Sequence, residues 1–234
     1  MSIVFCVFAQ YPVESKLYNH SILSHFVTFN IVHLLCLTSF FHFPILILYR
    51  KGGFALRYED MIQYAIAEGF SDAAVVDTKD IVFDPTFRTY CEENLCGQYG
   101  VNYSCPPACG TPDAMKQKIL AHRKALVLQT IWEISDYSDM ELIKPAKSSH
   151  NTAQVRLAKR LRTEGCEGFL VGASGCALCS PCKYALGKPC SYPEYQFSCM
   201  SAYCIFVKKL TDKCGIEYDC GDGLLAFFGM YVFD

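Results

Sequence analysis

Residues 169–190 read FLVGASGCALCSPCKYALGKPC, and this stretch decides both the fold class and the chemistry of the chain. Residues 169–173 are apolar or small and predict a short buried strand. Three glycines and two prolines in the stretch interrupt regular structure beyond the strand. The sequence therefore predicts a strand that ends in a long loop, and the loop carries Cys176, Cys179, Cys182 and Cys190.

The spacing of these four cysteines is that of a metal site. Successive C-x2-C turns bring thiolates onto one centre, and a fourth thiolate from farther along completes the ligand set, as in bacterial ferredoxins. The run departs from the ferredoxin pattern in its last gap, where seven residues rather than three separate Cys182 from Cys190. We interpret the run as the site of an iron–sulfur cluster of the 4Fe-4S type. The alternatives are a tetrahedral zinc site, a redox pair formed by Cys179 and Cys182, and buried free thiols.

A second candidate metal site lies upstream, in a loop rich in glycine and proline. Its cysteines are Cys91, Cys96, Cys105 and Cys109. Pro106 follows a candidate ligand directly, which fixes the chain and removes a backbone donor. The spacing leaves several possibilities: a cluster of its own, ligands to a shared cluster, a three-ligand cluster with one open iron, or a structural zinc loop.

Composition supports thiolate chemistry in the cytoplasm. The 234 residues include 15 cysteines and 6 histidines, and four of the histidines precede residue 50. A chain of this length needs no disulfides to hold its core, so the cysteines indicate metal or redox chemistry in a reducing compartment. The formal net charge of −2 argues against a nucleic-acid-binding surface.

The apolar pattern alternates between strands and helices along the chain. It predicts strands at 73–77, 125–132, 169–173 and 224–233, and helices at 58–68, 111–123, 151–164 and from Ser198 to Gly215. This alternation indicates an α/β fold, with a mixed or parallel sheet, crossover helices and two cysteine-rich metal-binding loops.

The first part of the chain differs from the rest. Residues 17–49 carry no formal charge, and the apolar stretch 31–48 would span about 27 Å as a helix. We therefore divide the chain into a hydrophobic extension, 1–55, and a metal-binding domain, 56–234. We favour a start codon upstream of the true one over a membrane anchor with the metal domain in the cytoplasm. The intact mass of the natively expressed chain distinguishes the two.

Residues 56–234 resemble a bacterial and archaeal family of cysteine-rich, predicted metal-binding proteins of unknown function. The resemblance rests on four motifs: Cys91-Glu-Glu-Asn-Leu-Cys96-Gly-Gln-Tyr-Gly100, Asn102-Tyr-Ser-Cys105-Pro-Pro107, Gly175-Cys-Ala-Leu-Cys179-Ser-Pro-Cys182 and Pro189-Cys190-Ser-Tyr-Pro193. It implies metal binding, with an iron–sulfur cluster in an anaerobe-like cytoplasm, and it implies no particular reaction.

Three functions fit these observations. The first is a redox or electron-transfer protein that docks a redox protein partner, for which the basic helix residues Arg156, Lys159, Arg160 and Arg162 are candidates. The second is an enzyme with a substrate-binding open-site cluster. The third is a zinc-stabilised interaction module.

Overall fold

The computed structural model describes residues 56–234, and the predictions for 1–55 lie outside the described residues. The helices are α1 (Tyr58–Ala67), α2 (Arg88–Glu92), α3 (Pro112–Leu120), α4 (Met140–Thr163) and α5 (Val207–Cys214). The strands are β1 (Asp72–Asp77), β2 (Lys124–Glu133), β3 (Gly168–Gly172), β4 (Ser198–Cys199) and β5 (Leu224–Phe233).

The five strands form one mixed sheet in the order β1-β2-β5-β3-β4. Strand β5 pairs antiparallel with β2 on one side and with β3 on the other, and β1 pairs antiparallel with β2. Only the short β3–β4 pair is parallel among the strands described. Strands β2 and β3 therefore run in the same direction with β5 between them, and α4 is the crossover helix that connects them. The predicted α/β class with a mixed sheet is confirmed.

Both faces of the sheet are covered, because successive side chains of a strand point to opposite faces. Leu126 and Leu128 of β2 pack with Met61 of α1 and Leu157 of α4 in one core cluster. Ala125 and Val127 of the same strand belong to a second cluster, together with Ile119 of α3 and Leu210 of α5. The result is a three-layer arrangement with helices on both faces.

Two helix predictions were wrong at their starts. Helix α4 begins at Met140 rather than at Asn151, with the Asp139 carboxylate accepting a hydrogen bond from the Glu141 amide as the cap. Pro145 lies inside this helix, and buried Ile143 and Ala146 hold the first turns against the sheet, which outweighs the local penalty of proline.

The helix predicted to start at Ser198 begins instead at Val207. Ser198 and Cys199 form β4, and Cys204 has a φ of 58°, in the left-handed region where a right-handed helix cannot continue. Val207, Leu210 and Cys214 lie on α5 as expected, whereas Tyr203 precedes it.

Across residues 56–234, none of the helices combines the length and the apolar character that crossing a bilayer requires.

The packing of α4 against the sheet makes stability depend on pH. His150 is fully buried, its Nδ1 lies 2.9 Å from Thr130 Oγ1, and burial lowers its pKa to about 3. The unfolded chain binds a proton at this residue below about pH 6.5, whereas the folded chain does so only near pH 3. The unfolded state therefore binds more protons between these values, and stability is lost as the pH falls through this window.

We expect the contribution of His150 to lower the free energy of unfolding by about 2 kcal/mol between pH 7 and pH 5. Urea denaturation at the two pH values measures the change. His150→Gln, which cannot titrate here, should show a clearly smaller difference. The same pH dependence in both proteins would contradict the assignment.

Candidate metal centre

The four cysteines of the second run lie in the loop that follows β3, and they line one pocket. The pocket is lined by Asn102, Tyr103, Ser104, Cys176, Leu178, Cys179, Cys182, Cys190, Tyr192 and Gln196. All four cysteines are free and half-buried. The structure thus places all four predicted ligands of this run on the lining of one pocket, and three residues of the first cysteine loop line the same pocket.

The start of this loop is fixed by α4. The Asn151 side chain donates to Ser174 Oγ at 2.8 Å and accepts from the Ala173 amide at 3.2 Å. Gly172 precedes them, and a Cβ there would lie 2.6 Å from the ring of Phe197. A side chain at residue 172 would therefore displace Phe197 from the core.

Cys176 is the first thiol of the second run and is half-buried. Burial raises the pKa of Cys176, and backbone hydrogen bonds from Leu178 and Phe197 to its sulfur oppose the shift. The neighbouring Cys190 and Cys179 thiols also raise the pKa of Cys176. Amide donors directed at sulfur favour the thiolate, which is the form that binds metal.

The first cysteine run forms a separate but adjacent group. Burial raises the pKa of Cys105, hydrogen bonds from Ser104 and Asn102 oppose the shift, and Cys96 and Cys109 add to it as neighbouring thiols. Cys96 is exposed and Cys105 is buried. Cys91 lies on α2. Cys96, Cys105 and Cys109, three of the four predicted ligands of this run, therefore lie close enough for their charges to interact.

The two loops are in direct contact. The Cys176 amide donates to Ser104 Oγ at 3.0 Å. A Cβ at Gly175 would lie 2.9 Å from Ser104 Oγ and 3.2 Å from Cys105 Sγ. A larger residue at this position would therefore displace the Ser104 hydroxyl and crowd the Cys105 sulfur.

Arg88 contacts the first cysteine loop, but the sequence gave no reason to select it, because arginine side chains are usually exposed. It is 7% exposed, and its guanidinium donates to the carbonyls of Gly110 at 2.9 Å and Ala202 at 2.6 Å. Burial raises the pKa values of Cys109 and Cys204, and Arg88 opposes both shifts. Arg88 thus ties the end of the first loop to the turn before α5.

Other cysteines lie apart from these groups. Burial raises the pKa of Cys166 and of Cys214 to about 11, so both thiols stay protonated near neutral pH. Their role is packing, as expected for buried thiols in a helix or loop.

The basic residues of α4 are engaged within the protein. Arg156 pairs with Glu68, Arg160 lies 3.6 Å from the ring centroid of Tyr64, and both Lys159 and Arg162 lie over Tyr195. Glu194 accepts from Arg162 through its backbone carbonyl. A docking role for this face stays a prediction.

A single-ion site and a cluster site differ in sulfur spacing. The thiolates around one tetrahedral zinc stand about 3.8 Å apart, given Zn–S bonds of about 2.3 Å. The thiolates of a 4Fe-4S cluster bind separate irons and stand farther apart. Within the described range, 56–234, no group of three or more His, Cys, Asp or Glu residues is arranged so that it could hold a metal ion, and the four thiols share a pocket without a formed coordination geometry.

The family model described as "Predicted metal-binding protein (DUF2284)" matches residues 74–233. The match includes both cysteine runs and all five strands except the first residues of β1. No curated protein and no solved structure matches the chain significantly.

The position of Arg88 predicts a large loss of stability on substitution. Arg88→Met should lower the free energy of unfolding by about 3 kcal/mol, because the carbonyls of Gly110 and Ala202 lose a charged donor. Urea denaturation of the metal-free chain measures the loss. Arg123→Met is the matched control, since the Arg123 side chain is 79% exposed, and it should change stability by less than about 0.5 kcal/mol. Equal effects of the two substitutions would contradict the role of Arg88.

Proposed function

The chain belongs to the family of predicted metal-binding proteins (DUF2284), and we propose that it binds a 4Fe-4S cluster through Cys176, Cys179, Cys182 and Cys190. We further propose that it exchanges electrons with a protein partner. The observation that carries the proposal is the convergence of these four thiols on one pocket.

The donor set supports a thiophilic metal. Both histidines of residues 56–234 are committed elsewhere: His122 Nδ1 lies 2.9 Å from Asp234 Oδ2, and His150 is buried beside Thr130. Sulfur-only ligation suits iron–sulfur clusters and zinc, whereas carboxylate-rich sites suit magnesium or calcium. Zinc bound by the same four thiolates is the alternative, and it would make the domain a structural interaction module.

A cluster held here would supply one-electron oxidation and reduction. The chain's own contribution is to hold the thiolates and to set their surroundings. The amides of Leu178 and Phe197 donate to the Cys176 sulfur, and such bonds tune the reduction potential of a cluster. The half-buried state of the cysteines keeps the site close to the protein surface, as electron exchange with a partner requires.

We propose that the first run binds a second metal centre through Cys91, Cys96, Cys105 and Cys109. The proximity of Cys96, Cys105 and Cys109 supports this assignment. Ligation by only three cysteines would leave an open iron, and the domain would then be suited to bind a substrate at that iron. A cytoplasmic location fits either case, because free thiols and iron–sulfur clusters persist in reducing compartments.

Metal analysis of the anaerobically purified domain tests the cluster proposal. We expect iron and acid-labile sulfide in equal amounts, near four of each per cluster, and only traces of zinc. Cys179→Ser should remove about one cluster's iron, whereas Cys214→Ser, at a protonated packing thiol, should keep it. Stoichiometric zinc without sulfide would end the iron–sulfur proposal, and unchanged iron in Cys179→Ser would end the ligand assignment.

Exposed apolar side chains are concentrated on the two cysteine loops. Eleven large hydrophobic residues are exposed within residues 56–234, and six of them lie on the two cysteine loops. We call these six the apolar collar: Leu95, Tyr99, Val101, Leu178, Leu186 and Tyr192. Exposed apolar surface of this kind marks sites of protein interaction.

The charges of the second loop indicate the kind of partner. Lys183 and Lys188 are the only charged residues between Cys176 and Cys190. An apolar surface beside two lysines fits an electron carrier with an acidic rim. We therefore propose the collar, rather than the basic face of α4, as the docking surface.

Charge reversal in this loop tests the docking surface. The double variant Lys183→Glu and Lys188→Glu should reduce the second-order rate of electron transfer from a reduced, acidic bacterial ferredoxin by about tenfold at low salt. Stopped-flow absorbance measures the rate. Lys79→Glu, at an exposed lysine before α2, should leave the rate near that of the wild type. Equal rates for the double variant and the control would refute the proposed surface.

A further inference from the structure

Ser104 occupies the junction between the two cysteine loops. The residue is 1% exposed, and its hydroxyl accepts the hydrogen bond from the Cys176 amide at 3.0 Å. The same oxygen lies 2.5 Å from Asn102 Oδ1 and 3.8 Å from Cys105 Sγ. The Asn102 amide oxygen can only accept, so the hydroxyl donates its own proton to it.

Asn102 holds Ser104 in one orientation. The Asn102 side chain also accepts from the Ser104 amide at 2.8 Å and donates to Gln98 Oε1 at 2.9 Å. Asn102 is 4% and Ser104 1% exposed, so the bonds between these two residues are shielded from water. The hydroxyl therefore meets the second loop from a fixed position rather than from a freely rotating side chain.

The absence of a side chain at residue 175 makes the junction possible. A Cβ at Gly175 would meet both the Ser104 hydroxyl and the Cys105 sulfur. The first ligand candidate of the second run, Cys176, is the next residue. The backbone at Cys176 can thus reach Ser104 only because residue 175 is glycine.

We infer that Ser104 is a positioning residue that couples the two metal-binding loops into one centre. It holds the Cys176 amide, and with it the direction of the Cys176 side chain, from a residue adjacent to Cys105. This inference rests on the proposed metal binding by the two cysteine runs. Metal bound at the first run restrains Ser104, and the restrained hydroxyl favours the ligating position of Cys176.

The hydrogen bond between the Cys176 amide and the Ser104 hydroxyl explains how Ser104 affects metal binding. Without the hydroxyl, the Cys176 amide loses its acceptor in a place where water has little access. The Cys176 side chain is then no longer held in one direction. Loss of a hydrogen bond that orients a metal ligand weakens metal binding by about 10- to 100-fold.

Cobalt binding tests the inference independently of the identity of the natural metal. Co²⁺ is titrated into the metal-free, reduced full chain in competition with a chelator, and the absorbance of the thiolate–cobalt bond reports binding. The ion whose signal is lost in Cys179→Ser is the one bound by the second run. Ser104→Ala should weaken the binding of this ion about 10-fold or more.

Three further variants separate positioning from folding. Ser104→Thr keeps the hydroxyl and should bind Co²⁺ close to the wild-type affinity. Ser180→Ala makes the same chemical change at an exposed position of the second loop and should have no effect. Gly175→Ala keeps Ser104 but displaces its hydroxyl from the Cys176 amide, and it should weaken binding as Ser104→Ala does. Wild-type affinity in either Ser104→Ala or Gly175→Ala would overturn the inference.

A double-mutant cycle measures the coupling between the two loops. Cys96→Ser, which damages the first run, should weaken cobalt binding at the second run in the wild type but not in Ser104→Ala. Additive effects of the two substitutions would overturn the coupling. Zinc in place of iron in the native protein would end the iron–sulfur proposal and leave this inference standing, because cobalt reports thiolate ligation for either metal.

Discussion

Strand β5 forms backbone hydrogen bonds along both of its edges, to β2 over Leu224–Phe233 and to β3 from Met230 to Phe233. Its residues beyond Leu224 are buried, since helices cover both faces of the sheet. Without β5, the β1–β2 pair and the β3–β4 pair have no common partner in the sheet. Both halves of the domain, and the helices that pack on them, therefore depend on this one strand.

The candidate metal centre depends on the sheet through β3. The strand ends at Gly172, the Asn151 side chain of α4 holds the next two residues, and Cys176 follows. Gln154 lies one turn farther along α4 and donates to the carbonyls of Val171 and Met230. Helix α4 thus fixes both the β3–β5 pair and the start of the cysteine loop. A shift of β3 or β5 would therefore also shift the candidate ligands in the loop.

Much of this organisation could be predicted from the sequence, because strong local patterns agree with the fold. Apolar runs located β2, β3 and β5, and α3 lies within the helix predicted at 111–123, with Thr111 as its N-cap. The start of α4 was missed because Pro145 and polar neighbours disfavour a helix locally, while burial of Ile143 and Ala146 favours it. The spacing of the second run predicted which cysteines share a pocket. Arg88 and the Ser104–Cys176 contact could not be predicted, since each joins segments that are distant in sequence.

The position of β5 in the chain has a consequence for biosynthesis. The strand is the last of the five in sequence, so β2 and β3 leave the ribosome before the partner that joins them has been made. The candidate ligands, from Cys91 to Cys190, are also made before that partner. Pairing between segments so far apart in sequence is slow to form. The thiols would therefore have to stay reduced until the sheet has closed, if a metal is to bind them in their folded positions.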